Sequence, residues 1–326
     1  MEVATLYPDR ITVRNVNESR FGDASLRIVN RLFNEKSKKN LKVNKQSFKL
    51  SQTSKRLIKD SYCLLYELAP PRQVKVNDDT TIYNFRTSFI TLTLPSKQIH
   101  SDVEVKKCLN HFLTDIRRHL DVNNYVWKAE LQKNKNIHFH ITIDKFCTYN
   151  AIRFYWNRAI NKLGYVDRYS QKFSKMSLLE YARYRGLKVE ECKEVYFKGV
   201  SNNWQIPNSV DVKAVRNDKA LKNYLAKYIS KDNDDLQDDD RARYFGKVWS
   251  RSQSLSKIKL IKSWLWSDIK SIIGNHLADS KQFYKSSNDW CTVYYFSFSR
   301  LSLDIKSILK GILTRQANYF DYVYPT

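Results

Sequence analysis

What is scarce in this 326-residue chain limits it first. Its seven glycines include no Gly-x-x-x-x-Gly-Lys-Ser/Thr run, which excludes a nucleotide-driven motor of the phosphate-loop kind. Five cysteines, Cys63, Cys108, Cys147, Cys192 and Cys291, stand far apart with no Cys-x-x-Cys pair, so neither a zinc ribbon nor a disulfide framework is expected. No apolar run approaches the ~20 residues of a membrane span. The opening Met-Glu-Val-Ala-Thr-Leu-Tyr-Pro-Asp-Arg does not read as a signal peptide, and the expectation is a soluble chain working in the cytoplasm, without a membrane. No internal repeat is found. Acidic residues are also short: 33 Asp and Glu against 57 Lys and Arg leave a net charge of +24, an excess that usually answers a polyanion. What is plentiful fits the same partner. Seven Trp, 21 Tyr and 16 Phe interleave with the cations, a mixture suited to stacking on unpaired bases while holding phosphates. An apolar content of 42% suffices for a full core.

The most informative stretch is 136–144, Asn-Ile-His-Phe-His-Ile-Thr-Ile-Asp. Its period of two predicts a strand with Ile137, Phe139, Ile141 and Ile143 on one face and His138, His140, Thr142 and Asp144 on the other. Side chains at i and i+2 point the same way, so the two imidazoles stand about 6–7 Å apart along the strand, close enough to share one divalent cation. A strand that merely exposes two histidines is the plainer alternative. Residues 124–131 alternate too, and the polar 132–135 joins the two runs as a hairpin. If Tyr125, Trp127, Ala129 and Leu131 face the core, Glu130 falls on the side of His138 and His140. A carboxylate and two imidazoles on strands suit Mg²⁺ or Mn²⁺.

Around this hairpin the chain reads as α+β: a central antiparallel sheet of about five strands with helices packed on it. Residues 84–95 form a strand with Ile90, Leu92 and Leu94 on one face and Phe89, Thr91 and Thr93 on the other, ended by Pro95. Ser101 caps a helix over 102–120 whose apolar stripe includes Val103, Val105, Leu109 and Phe112. A helix near 149–163, with Phe154 and Tyr155 in its stripe, a helical stretch near 176–193 and a strand at 210–215 follow. Asn217 or Asp218 caps a helix over 219–231, where Leu221, Leu225 and Ile229 would face the sheet, Tyr224 and Tyr228 the adjoining stripe, and Lys227 and Lys231 lie next around. Six aspartates within 232–240 read as a solvated loop. The basic, aromatic 241–251 offers Arg241, Arg243, Lys247, Trp249 and Arg251 as nucleic-acid contacts. Residues 1–78 form a basic N-terminal region, dense in Lys and Arg over 36–59 and closed by Ala69-Pro70-Pro71. Residues 255–326 form an accessory region with an amphipathic helix from 255 onward (Ile258, Ile261, Trp264, Leu265, Ile269, Ile272), a strand at 291–298 and a helix at 301–313.

A phenol with a reference pKa of ~10 is a weak nucleophile at neutral pH; it becomes useful when a metal polarises the electrophile and a cation steadies its charge. With that chemistry in view, His138-Phe139-His140 resembles the His-hydrophobic-His motif of the HUH endonuclease superfamily. Glu130 matches the acidic third ligand of its replication initiators, and Phe89-Ile-Thr-Leu-Thr93 their first motif. Tyr224-Leu-Ala-Lys-Tyr228-Ile-Ser-Lys231 is similar to their third motif, in the two-tyrosine form of single-stranded DNA phage initiators such as the microvirus A protein. The order, His motif before Tyr motif, is that of initiators rather than conjugative relaxases. Tyr-x-x-x-Tyr alone is weak: Tyr62/Tyr66 and Tyr165/Tyr169 share the spacing but lack the lysines. The chain departs from the pattern in the long stretch between the second and third motifs, and in Trp249-Ser-Arg-Ser252, where relatives often carry Gly after Trp.

The resemblance implies an HUH/RRM-like core over 79–254 and a divalent-metal-dependent enzyme that nicks and joins single-stranded origin DNA. In that role Tyr224 and Tyr228 are the nucleophiles, Lys227 and Lys231 their cationic partners, and Glu130, His138 and His140 the ligands of Mg²⁺ or Mn²⁺. Rolling-circle replication of a phage or plasmid would then draw on a bacterial host's helicase and polymerase. A single-strand transposase of the same superfamily and a basic nucleic-acid-binding protein without chemistry are the alternatives. A metallo-hydrolase is disfavoured because Thr142-Ile143 stands where its Asp-His would be.

Overall fold

The computed structural model describes residues 2–7, 10–15, 50–70, 72–75, 82–215, 247–257, 263–279, 281–289, 291–297 and 301–309. In chain order the elements are β1 (Glu2–Tyr7), β2 (Arg10–Asn15), α1 (Gln52–Leu68), β3 (Arg72–Lys75), β4 (Ile82–Phe85), β5 (Thr87–Leu92), α2 (Asp102–His119), β6 (Tyr125–Leu131) and β7 (Ile137–Ile143). They continue with α3 (Tyr149–Asn161), α4 (Tyr165–Phe173), α5 (Leu178–Arg185), α6 (Val189–Ser201), β8 (Val210–Val215), β9 (Trp249–Arg251), α7 (Gln253–Lys257), β10 (Ser263–Leu265), α8 (Trp266–Leu277), β11 (Phe283–Ser287) and β12 (Cys291–Phe296).

The architecture is α+β, built on a five-stranded antiparallel sheet in the order β8-β5-β7-β6-β9. One face of it follows from the alternation. Ile137, Phe139, Ile141 and Ile143 of β7 are buried beside Trp127 and Ala129 of β6 and Ile90 and Leu92 of β5. Helices α2 and α3 cover this face; Trp156 of α3 meets both Phe112 and Phe139 edge-on, and its indole N–H donates to the Thr93 carbonyl over 2.7 Å. Helix α2 starts where expected, at Ser101, with a reciprocal capping box to Glu104. Two stripe residues turn out otherwise: Val103 and Phe154 are exposed, because each stripe is wider than the contact between the helix and the sheet.

The opposite face departs from the expectation of a half-buried sheet. Val126, Lys128, Glu130, His140 and Thr142 are buried as well. The cover is α1, which places Ile58, Tyr62 and Leu65 inward at i, i+4 and i+7 and comes from the region read only as basic. Ser51 caps it by accepting from the Ser54 N–H, and Ala69 ends it just before the two prolines. Arg251 of β9 donates to the Ser61 hydroxyl over 3.0 Å, fixing α1 against the edge strand.

The stretch expected as one helical segment near 176–193 is three helices, α4 to α6. Gly186, at φ 65°, takes the left-handed conformation that ends α5. They close on a small core of Phe173, Tyr181, Ala182, Cys192 and Trp204. Gly199 is required there: a Cβ on it would sit 2.5 Å from the Trp204 ring. This unit fills much of the long interval before β8.

A second five-stranded antiparallel sheet, β10-β1-β2-β12-β11, joins the two ends of the chain. Ala4, Leu6, Ile11, Val13, Phe283 and Phe296 pack on one side against Ile273 of α8 and against Leu301, Ile305 and Leu309. The C-terminal region is therefore mixed rather than helical. Trp264 and Leu265, read as part of a long helix, lie in β10, because β1 offers them an antiparallel partner (Val3 opposite Leu265). The expected helices over 26–33 and 219–231 and the aspartate run at 232–240 lie outside the described residues.

Candidate metal centre

The register of the central sheet assembles the site. Glu130 lies directly opposite His138 across the β6–β7 hairpin, Lys128 opposite His140, and Thr91 opposite His140 on the other flank. The period-two reading holds: the two imidazoles and the carboxylate share one face, and their ligand atoms all lie within 4.8 Å of one another. His138 Nε2 donates to Glu130 Oε1 over 2.8 Å, and His140 Nε2 donates to the same oxygen. The rings stand 4.5 Å apart at 71°, so both nitrogens converge instead of stacking past each other.

The surroundings hold His140 more firmly than His138. The Thr91 hydroxyl meets His140 Nδ1 at 3.2 Å, and Phe89 stacks on the ring at 5.5 Å. A hydroxyl can donate or accept, so Thr91 serves either tautomer. His138 Nδ1 is buried with no hydrogen-bond partner among the described residues, as is Glu130 Oε2, which lies 3.8 Å from the Lys128 ammonium. Burial alone would raise the Glu130 carboxyl; hydrogen bonds and charge from His138 and His140 outweigh it and hold the group well below the usual carboxylate range. Burial lowers the His140 pKa despite the pull of Glu130, which favours the neutral imidazole that a metal needs.

These residues fit a divalent cation. Two nitrogens and one carboxylate oxygen meet at a point, and a second, buried carboxylate oxygen is left without a hydrogen bond among the described residues. Lys128, buried beside the cluster, supplies positive charge to Glu130. The reading of the sequence missed Lys128 as a neighbour of the site, although its period-two place with Glu130 put it on that face.

Tyr62, whose spacing to Tyr66 was set aside for want of lysines, is buried beside Thr142 and within reach of the Glu130 charge. Burial pushes its phenol far up, with Thr142 opposing, so it is a poor nucleophile. The amphipathic spacing of α1 is visible in the sequence; the face it covers is not. Tyr224, Lys227, Tyr228, Lys231, Arg241 and Arg243 lie outside the described residues. Of the other expected DNA contacts, Lys247 is exposed and Trp249 packs partly against the core. Arg251 is half-buried on Ser61; burial lowers its pKa while Asp60 opposes the shift.

A small antiparallel sheet, helices behind it, and a His-Glu cluster on its other face define a class of sheet protein with a metal-competent centre. Residues 87–233 match the model of the family described as Replication-associated protein ORF2. The match begins at β5, includes Glu130, His138 and His140, and extends past Tyr228 and Lys231. It supports a replication initiator of the rolling-circle kind. No curated protein and no solved structure matches the chain.

Proposed function

We propose that this protein nicks and rejoins single-stranded origin DNA through a tyrosine nucleophile during rolling-circle replication of a phage or plasmid genome in a bacterial cytoplasm. The observation that carries the reading is the convergence of Glu130, His138 and His140 on one sheet face, inside the same matched segment that holds Tyr224 and Tyr228. Mg²⁺ or Mn²⁺ held by these three residues would polarise the scissile phosphodiester. The chain's own groups do the rest. Thr91 and Phe89 fix the ring of His140. The phenol oxygen of Tyr224 or Tyr228 forms the new bond to phosphorus, the bond to the sugar O3′ breaks, and the phenol proton passes to that oxygen as it leaves. A 5′-phosphotyrosyl link and a free 3′-hydroxyl remain, and the second tyrosine reverses the exchange after one round. Lys227 and Lys231 steady the phenolate, while Arg241, Arg243, Lys247, Trp249 and Arg251 contribute to holding the strand. Duplex must be opened before the phosphate can reach a site of this kind, so a host helicase and polymerase act with it.

Incubating the full chain with single-stranded origin DNA and Mn²⁺ is expected to give a protease-sensitive, slower-migrating covalent adduct. Chelator, His138→Ala, or Tyr224→Phe with Tyr228→Phe should abolish it. Tight DNA binding with no adduct from the wild-type chain would leave a binding protein without chemistry and reject the reading.

A further inference from the structure

The terminal sheet has two faces of different character. One is the apolar core described above. On the other, the registers of three strand pairs place four side chains in a single row: Tyr7 opposite Arg10, Arg10 opposite Tyr295, and Tyr295 opposite Tyr284. The row runs across β1, β2, β12 and β11. Its β1 end is closed: Tyr7 is buried, with the Arg10 guanidinium 3.9 Å over its ring and 3.7 Å from Asp60 of α1. Its β11 end is open. Tyr284 is 69% exposed and Tyr295 43% exposed, and their rings lie 6.3 Å apart at 32°. Arg14, two residues along β2 from Thr12 on the same face, is also exposed.

Two neighbouring tyrosines left in water on a rigid sheet are costly unless something covers them, because each presents a large apolar ring. The rings are too close for a base to slip between them, yet each offers its outer face. Cations stand on the next strand in the same row and one pair further along. We propose that this face, Tyr284 and Tyr295 with Arg10 and Arg14, is a second DNA-binding surface that stacks unpaired bases and holds their phosphates. It is built from both ends of the chain and is separate from the metal centre. The occupant is argued from charge and shape. A chain of net charge +24 disfavours a basic or neutral partner. A row of aromatic rings beside arginines accepts any base sequence, since every base has a π-face. Duplex DNA, whose bases are already stacked, gains nothing from exposed rings. The inference rests on DNA being the partner, but not on the nicking chemistry.

Fluorescent oligothymidine titrated into the full chain in chelator tests it. The double variant Tyr284→Ala/Tyr295→Ala should bind at least roughly tenfold more weakly, while Tyr284→Phe/Tyr295→Phe stays close to wild type, because stacking needs the ring and not the hydroxyl. A duplex of equal length should not distinguish the variants. Photocrosslinking to an oligonucleotide carrying halogenated uracil should mark the peptides of β11 or β12. His138→Ala should leave all of this unchanged, so loss of nicking and loss of this surface can be told apart. Unaltered oligothymidine affinity in the alanine variant would overturn the proposal. So would a change in its sedimentation with DNA binding intact, since the face would then join two copies of the chain.

Discussion

One hydroxyl governs how His140 is presented. Thr91 meets His140 Nδ1 from a strand some fifty positions earlier in the chain, on the side of the ring away from Glu130. Thr91→Val should therefore weaken Mn²⁺ binding by about 10–100-fold in calorimetric titration, as loss of a ligand's outer hydrogen bond commonly does, and Thr91→Ser should restore most of it. Tyr62 provides a contrast at the same scale. Its buried, strongly raised phenol predicts that Tyr62→Phe keeps wild-type nicking, read as adduct yield on a gel. Glu130, His138 and His140 were legible because alternation fixes which side chains share a face, and a short polar turn fixes the hairpin. The hold of Thr91 on His140 was legible only as hydroxyls on a strand, since the pairing of β5 with β7 is set by sheet order, which local pattern does not encode.

Elements were read well where one face meets one neighbour. Helix α2 with its Ser101–Glu104 box and the strands β6, β7 and β8 follow their periodicity closely. Reading failed where a distant segment supplies the second partner. The polar face of the sheet is buried because α1 returns over it, and β10 is a strand because β1 lies beside it. The α4–α6 unit shows how such a segment is specified by a close contact rather than by charge. Gly199→Ala would drive a methyl into the Trp204 ring from 2.5 Å, and the backbone of α6 must give way. The expected result is loss of the tryptophan near-UV signal and a lower melting temperature. In α1, Ile58→Ala should cost about 2–5 kcal/mol of stability in denaturant unfolding, as a fully buried side chain on the covering helix.

At the scale of the molecule, the chain's ends are joined in one sheet, and the metal centre sits on another. β1 and β2 are inner strands of the terminal sheet, between β10 and β12, so removing residues 1–15 takes out its middle. That deletion should expose 263–309 to limited proteolysis, although those residues stand at the far end of the sequence. The net charge of +24 acts over the whole surface, and oligonucleotide affinity should fall steeply with added salt. The central claim is narrower: a tyrosine of the 219–231 segment attacks a phosphodiester presented at Glu130, His138 and His140. Its most direct test is mass spectrometry of the protease-digested adduct formed with single-stranded origin DNA and Mn²⁺. The account predicts a nucleotide carried on the peptide holding Tyr224 or Tyr228; a nucleotide found on Tyr62 or Tyr66 of the covering helix, or on no tyrosine, would contradict it.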